Sequence, residues 1–260
     1  MEERKVDAKE TVALVIGGAS GMGRLAAQRW VRDGGIAVAA DIDDDGLRGT
    51  AAGHDRLHTR HVDVTDAAAV DVLVKDVEVE HGPIARVYNG AAIQPTSLLL
   101  GQDLEEIHRV MQVNYGGLVN VSLAVMPGLL ARGSGSLINF CSIAGWVPNM
   151  HFGAYCASKF AAVAFTEILY HENRGKGVHI ACVCPSQVDT PLRAQARSKP
   201  KIMETGPKAM RPEVVLDAID KAVAKQRFWV YPGLHTAIGV RIRRFLPALL
   251  WKIDHDAEGF

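Results

Sequence analysis

Tyr155 and Lys159 stand four residues apart in Phe152–Arg174, a run with a helical pattern. That spacing puts both side chains on one helix face, a turn apart. A free tyrosine has a pKa of about 10. A neighbouring ammonium favours the phenolate, so Tyr155 has the chemistry to take a proton from an alcohol or to return it. Alone, a Tyr-x-x-x-Lys pair is common on ordinary helices and carries little weight. Ser142 follows the apolar run Ser136–Phe140, and its hydroxyl can donate to a carbonyl. Asn114 lies midway along a long helical stretch, where a polar side chain needs a reason unless it faces solvent.

The elements that must hold these groups repeat as strand, turn, helix. Val12–Ile16, Ile36–Ala40, Leu57–Val62, Ile84–Tyr88, Ser136–Phe140, Val178–Val183 and Phe228–Tyr231 read as strands. Helical patterns follow to about Asp33, to about Ala52 and to about Glu80, the third capped by Thr65 or Asp66. Further helices are read over Asp103–Ala131, Phe152–Arg174 and Pro212–Lys225. Short apolar strands alternating with helices imply a parallel sheet covered on both faces. The expected fold is α/β: a single doubly wound, Rossmann-like domain of about seven strands over residues 1–260, with a core at 11–231.

Gly17-Gly18-Ala19-Ser20-Gly21-Met22-Gly23 follows the first strand and opens a helix. Such a turn brings backbone close to a ligand, and the helix N-terminus offers free N–H groups to a pyrophosphate. Asp41 ends the second strand, 18 residues after Gly23. A carboxylate there accepts from adenosine ribose hydroxyls and repels a 2′-phosphate, which favours NAD over NADP. Asp63-Val64 ends the third strand, where it can hold an adenine ring. Asn89-Gly90-Ala91-Ala92 ends the fourth, where small residues let backbone pass close to a cofactor. With a positive nicotinamide ring beside it, Tyr155 would move the proton while hydride moves to or from the ring. Lys159 could hydrogen-bond the nicotinamide ribose.

Taken together, these residues resemble the short-chain dehydrogenase/reductase family, classical type, from about Thr11 to Tyr231. Gly17, Gly21 and Gly23 match its Gly-x-x-x-Gly-x-Gly, Asp41 its NAD-preferring acid and Asp63 its adenine-side Asp. Asn114, Ser142, Tyr155 and Lys159 match its catalytic set, with the family's usual 13-residue step from Ser142 to Tyr155. The resemblance implies that Asn114 helps hold a water near Lys159. It also implies cofactor contacts from Pro185, Val188 and Thr190, and a homodimer or homotetramer built on the two long helices. Ile16, Gly90, Ala92 and Ser186 depart from the family pattern, which bears on local hydrogen bonding around the turn and on the width of the pocket. Candidates for the substrate pocket are Ile93, Gln94, Ile143, Ala144, Trp146, Met150 and Ser186. This mainly apolar set suggests a hydrophobic secondary alcohol or ketone.

Composition sets the outer bounds. Of 260 residues, 48% are hydrophobic and 22% charged, ordinary for a globular chain with a sizeable core. Lys+Arg and Asp+Glu balance at 29 each, so no net field favours nucleic acid. Cys141, Cys156, Cys182 and Cys184 sit in apolar contexts without metal-ligand spacing. They read as buried free thiols, consistent with a cytoplasmic protein. No apolar signal-peptide core opens the chain, and no stretch reads as a membrane-spanning run. Asp189–Arg211 occupies the place of a substrate loop. Its cations (Arg193, Arg197, Lys199, Lys201) either attract an anion or, as is commoner, form a solvated lid. His235–Lys252, within the extension 235–260, is basic and amphipathic. It can dock a subunit, cap the pocket or lie on a membrane as a peripheral lipid reductase would. A non-catalytic NAD(H)-sensing or scaffold protein on the same fold is the alternative from another class; the intact Asn, Ser, Tyr and Lys set argues against it.

Overall fold

The apolar runs become strands because backbone pairing satisfies their N–H and C=O groups while both faces are covered. The computed structural model describes residues 8, 10–195, 198, 200, 201 and 208–259. Its strands are β1 (Val12–Ile16), β2 (Ile36–Asp41), β3 (Leu57–His61), β4 (Ile84–Asn89), β5 (Ser136–Phe140), β6 (His179–Val183) and β7 (Trp229–Val230). They form one seven-stranded parallel sheet in the order β3-β2-β1-β4-β5-β6-β7. Strand order reverses between β1 and β4, which opens a crevice at the carboxyl edge.

Alternation along the strands sorts the core into two layers. Val12, Leu14 and Ile16 pack with α3 (Ala67–His81), α5 (Leu118–Arg132) and α6 (Gly153–Asn173) on one face. Ala13 and Val15 pack on the other with α1 (Gly21–Arg32), α2 (Asp44–Ala51) and α7 (Pro212–Ala224). Arg86, the polar residue in β4, is 3% exposed. Its guanidinium lies 4.8 Å from the Trp30 ring centroid and donates to Tyr88 Oη and Asp220 Oδ1, both at 2.9 Å. Of the two candidate caps of α3, Asp66 makes the bonds, accepting from the Ala68 and Ala69 N–H groups. Thr65 instead donates to Asp63 Oδ1.

The helical run read as Asp103–Ala131 has an internal break in regularity. It comprises α4 (Leu104–Met111), a π-helical turn at Gln112–Gly117, and α5. The run Leu104–Arg132 is long and apolar enough, by length and composition, to cross a membrane, contrary to the sequence reading; half of its most apolar window is buried inside the fold. The tail is interrupted at Pro247, as its sequence suggests. Pro247 lacks an amide hydrogen, so it begins a new helix instead of continuing the old one. The result is α8 (Leu234–Phe245) and α9 (Pro247–Glu258), joined at Leu246. Asp254 of α9 is buried, and its Oδ2 accepts from the Met150 N–H at 2.9 Å. Arg197 and Lys199 lie outside the described residues.

Candidate active site

The glycine turn is shaped by contacts that a side chain would block. Gly17 has φ +78°, and a Cβ there would lie 2.8 Å from the Ala91 nitrogen; at Gly23 a Cβ would lie 2.1 Å from the Gly17 oxygen. Ser20 begins α1 without capping it through its side chain, and no acidic residue occupies the first turn. The N–H groups of that turn therefore face the crevice with the positive end of the helix dipole behind them. Asp41 borders the turn. Its Oδ2 accepts from the Ala19 N–H at 3.1 Å, and its Oδ1 from the Ile42 N–H at 2.8 Å.

Two connected hollows run along the carboxyl edge of the sheet. The first, about 440 Å³, is an open cleft. Gly17, Ser20, Gly21, Met22 and Gly23 line it at one end, with Asp41, Asp63 and Val64 beside them. Gly90, Ala91 and Thr190 line its far side. The second, about 270 Å³, contains Ser142, Tyr155 and Lys159 together with Pro185, Ser186 and Val188. Met22, Gly90, Ala92, Phe140, Thr190 and Leu192 border both hollows, so a ligand lying in the cleft reaches the cavity.

Asn89 is not at the cleft. It is buried, and its Nδ2 donates to Leu118 O at 3.1 Å and Asn139 Oδ1 at 3.0 Å. Gly90 takes the cleft position. Its N–H donates to Ile16 O at 3.0 Å, and a Cβ there would come within 3.0 Å of Phe140. The departures at Ile16 and Gly90 are thus joined by a backbone bond that needs no side-chain hydroxyl.

Asn114 lines neither hollow. It is 1% exposed in the π-helical turn. Its Oδ1 accepts from the Ile93 N–H at 2.8 Å, while its Nδ2 donates to Ile93 O at 2.9 Å and Ser158 Oγ at 3.1 Å. Ser158 Oγ donates to Tyr155 O at 2.7 Å. Asn114 therefore ties the segment after β4 to the helix carrying Tyr155.

Ser142 is held between strand ends: the next residue, Ile143, donates its N–H to Pro185 O at 2.9 Å. Lys159 is 3% exposed, donates from Nζ to Phe140 O at 2.9 Å, and sits 5.7 Å from the Tyr155 ring centroid. Burial pushes the Tyr155 hydroxyl well above its ordinary value, and the hydrogen bond with Ser142 pulls the other way. Burial lowers Lys159. Desolvation of the phenolate therefore works against the ammonium attraction that the sequence reading invokes for Tyr155.

Of the pocket candidates, Gln94, Ile143, Ala144 and Ser186 line the cavity. Ile93 lines the cleft instead. Trp146 is not among the lining residues; it packs on Trp229 with ring centroids 5.2 Å apart. Met150 is not among them either, and its N–H is held by Asp254. His235, Thr236 and Gly239 of α8, which lie in the tail that the sequence allowed to cap the pocket but are not among its individual pocket candidates, close one side of the cavity. Of the three roles considered for the tail, capping the pocket is the one these contacts make. The sequence reading missed Arg109, which lines the cleft 3.7 Å from Asp63 Oδ2. The loop after β6 is pinned over the site: Gln94 donates its N–H to Gln195 Oε1 at 2.9 Å, and Thr96 donates to Ser198 O at 2.6 Å. All four cysteines are buried free thiols, with Cys182 and Cys184 Sγ atoms 3.7 Å apart on one face of β6 and its extension.

Comparison with known proteins matches this geometry to a family. The family model for short chain dehydrogenase covers residues 11–201. The chain is 35% identical over 193 residues to "Probable oxidoreductase EphD" of Mycobacterium tuberculosis, covering 71% of this chain and only 32% of that protein's length. It is 33% identical over 184 residues to 2-dehydro-3-deoxy-L-rhamnonate dehydrogenase (NAD(+)) of Sphingomonas sp., covering 70% of this chain and 74% of that one. A short chain dehydrogenase/reductase from Burkholderia phymatum, solved in complex with NAD, aligns with a TM-score of 0.83 at 25% identity, over 94% of this chain and 96% of that one.

Proposed function

This chain belongs to the short-chain dehydrogenase/reductase family, and we propose that it interconverts a secondary alcohol and a ketone with NAD, Tyr155 moving the proton. The observation that carries this reading is the meeting of Ser142, Tyr155 and Lys159 in a cavity continuous with the glycine-lined cleft. A dinucleotide fits the donor set there: an uncapped helix N-terminus for the pyrophosphate, and the Asp41 carboxylate for ribose hydroxyls. The bound nicotinamide supplies the hydride acceptor or donor. Ser142 then donates a hydrogen bond to the substrate oxygen. Tyr155 donates its proton to that oxygen in reduction and takes it back in oxidation. Burial favours the protonated form of its hydroxyl, which suits the donor role. Lys159, fixed by Phe140 O, keeps a positive charge near the ring and favours the phenolate when oxidation requires it.

NAD is the proposed partner because Asp41 and Asp43 line the adenosine end of the cleft, while its cation Arg109 already faces Asp63. The Sphingomonas relative carries NAD(+) in its name and the Burkholderia structure holds NAD, which supports the same choice. We also propose a homo-oligomer through α5 and α6, where Leu123, Phe160 and Ile168 are exposed. Light scattering in solution tests that state.

The decisive measurement is turnover of a panel of alcohols and ketones with NAD(H) and NADP(H) side by side. Tyr155→Phe should abolish turnover while leaving NAD(H) affinity within about twofold, because only a hydroxyl is removed. A Tyr155→Phe enzyme active on good substrates sinks the assignment. Tight NAD(H) binding with no turnover across the panel would instead favour a sensing protein.

A further inference from the structure

The cavity in front of Tyr155 carries positive charge without negative charge. Lys159 and Arg193 line it, and among the described residues no Asp or Glu does. Lys159 is committed to Phe140 O. Arg193 is not committed in the same way. Its backbone is fixed by an N–H donated to Thr190 O at 3.1 Å, but its side-chain Nε is buried with no hydrogen-bond partner, and it makes no ion pair among the described residues. An unpaired buried donor on a charged group is costly, and the cost is recovered when an anion arrives.

The position of Arg193 says which anion. Its neighbours Thr190, Pro191, Leu192 and Gln195 all line the dinucleotide cleft, whereas Arg193 lines only the Tyr155 cavity. Its charge therefore serves the substrate end. The remaining wall is largely apolar, with Ile143, Val147, Phe152 and Leu192. A guanidinium fork in an apolar chamber matches a planar carboxylate, which takes two parallel N–H bonds and needs no further cations.

We infer that the substrate is an apolar hydroxy acid or oxo acid whose carboxylate is held by Arg193 while its reacting carbon lies at Ser142 and Tyr155. This rests on the oxidoreductase reading of the same cavity. It goes further in naming a specificity residue and a substrate class. Arg193 would be a binding residue, so its removal should raise KM for acids far more than it lowers kcat.

The test is calorimetric titration of octanoate, octanamide and octyl phosphate into the NADH-loaded enzyme, in the wild type and in Arg193→Gln and Arg193→Lys. Octanoate should bind at least about tenfold tighter than octanamide, from a charge-assisted pair the amide cannot make. Arg193→Gln should weaken octanoate about 10- to 100-fold while leaving octanamide and NADH affinity unchanged, and Arg193→Lys should recover part of the loss. Equal binding of octanoate and octanamide by the wild type overturns the inference. So does an Arg193→Gln enzyme that loses NADH, or one that loses both octyl compounds equally. Tighter binding of octyl phosphate than of octanoate overturns the carboxylate assignment. A turnover arm separates the two readings. Octanoate binding as described, with no alcohol, ketone, hydroxy acid or oxo acid turned over, leaves the anion site standing and removes the oxidoreductase reading. Turnover of neutral ketones with no octanoate preference does the reverse.

Discussion

Asp41→Asn should shift cofactor choice toward NADP by a calculable amount. The Asp41 carboxylate accepts N–H groups from Ala19, Ile42 and Asp43 at 3.1, 2.8 and 3.2 Å, which fixes its plane at the rim of the cleft. A 2′-phosphate carries a charge of about −2. At ~5 Å from Asp41, in an effective dielectric of roughly 40–80, the repulsion is about 2–3 kcal/mol. Among the described residues that line the cleft, the one cation to offset it is Arg109, which lies 3.7 Å from Asp63. Removing the Asp41 charge should therefore improve NADP by about 30- to 150-fold. NAD loses a charge-assisted ribose bond in favour of a neutral one, about 1 kcal/mol or fivefold. The ratio of kcat/KM for NADP over NAD should rise by about two to three orders of magnitude. Stability should fall by about 1 kcal/mol, or roughly 2–4 °C in Tm, because the amide nitrogen cannot accept one of the three backbone bonds. Steady-state kinetics with both cofactors at a fixed substrate reads the ratio, and calorimetry reads the Tm. A ratio that moves less than about threefold refutes the electrostatic argument, as does a wild type that already prefers NADP.

The other predictions follow from single contacts. Lys159→Met should raise stability by about 1–3 kcal/mol while abolishing turnover, because it removes a buried ammonium with one protein acceptor, Phe140 O. The pH dependence has a definite sign: burial lowers the folded pKa of Lys159, so the unfolded chain binds the extra proton. Wild-type stability should thus gain on that of Lys159→Met as pH rises from the lowered value toward about 10.4, which urea titrations at several pH values will show or exclude. Gly23→Ala should weaken NAD at least about tenfold, since its Cβ would meet the Gly17 oxygen at 2.1 Å and displace the turn. Gly53→Ala, with φ +77° but nothing within 4 Å, should cost only about 1–2 kcal/mol of strain and leave NAD binding intact. Arg86→Met should lower Tm by roughly 4–8 °C, about 2 kcal/mol, by leaving the buried Tyr88 hydroxyl without its donor, with activity per folded molecule unchanged.

What the sequence made legible follows the range of the forces involved. Strands such as Val12–Ile16 are apolar over five consecutive residues, and burial on both faces of a parallel sheet needs nothing longer-ranged to be read. The pairing of Tyr155 with Lys159 is likewise local, set by one helical turn. Asn89 was misplaced because its partners are remote: Leu118 and Asn139 lie 29 and 50 residues along the chain, and no local pattern announces that a polar side chain will turn inward to meet them. The same reasoning covers Asn114. The stretch reads as helical through Gln112–Gly117 in spite of Gly116-Gly117, and nothing local marks the π-helical turn, in which Asn114 bonds both the N–H and the C=O of the remote Ile93. Trp146 looked like a pocket wall because it follows Ser142 closely, but the 3-10 turn at Ile143–Gly145 carries it past the cavity onto Trp229. Arg193 shows the limit most sharply. As one cation among several in a polar excursion it is indistinguishable from a solvated lid residue. Its meaning comes from what the fold withholds, since among the described residues no Asp or Glu lines the wall it shares with Tyr155. Charge with no counter-charge in a cavity is a property of the assembled site, and it directs the choice of ligand to an anion.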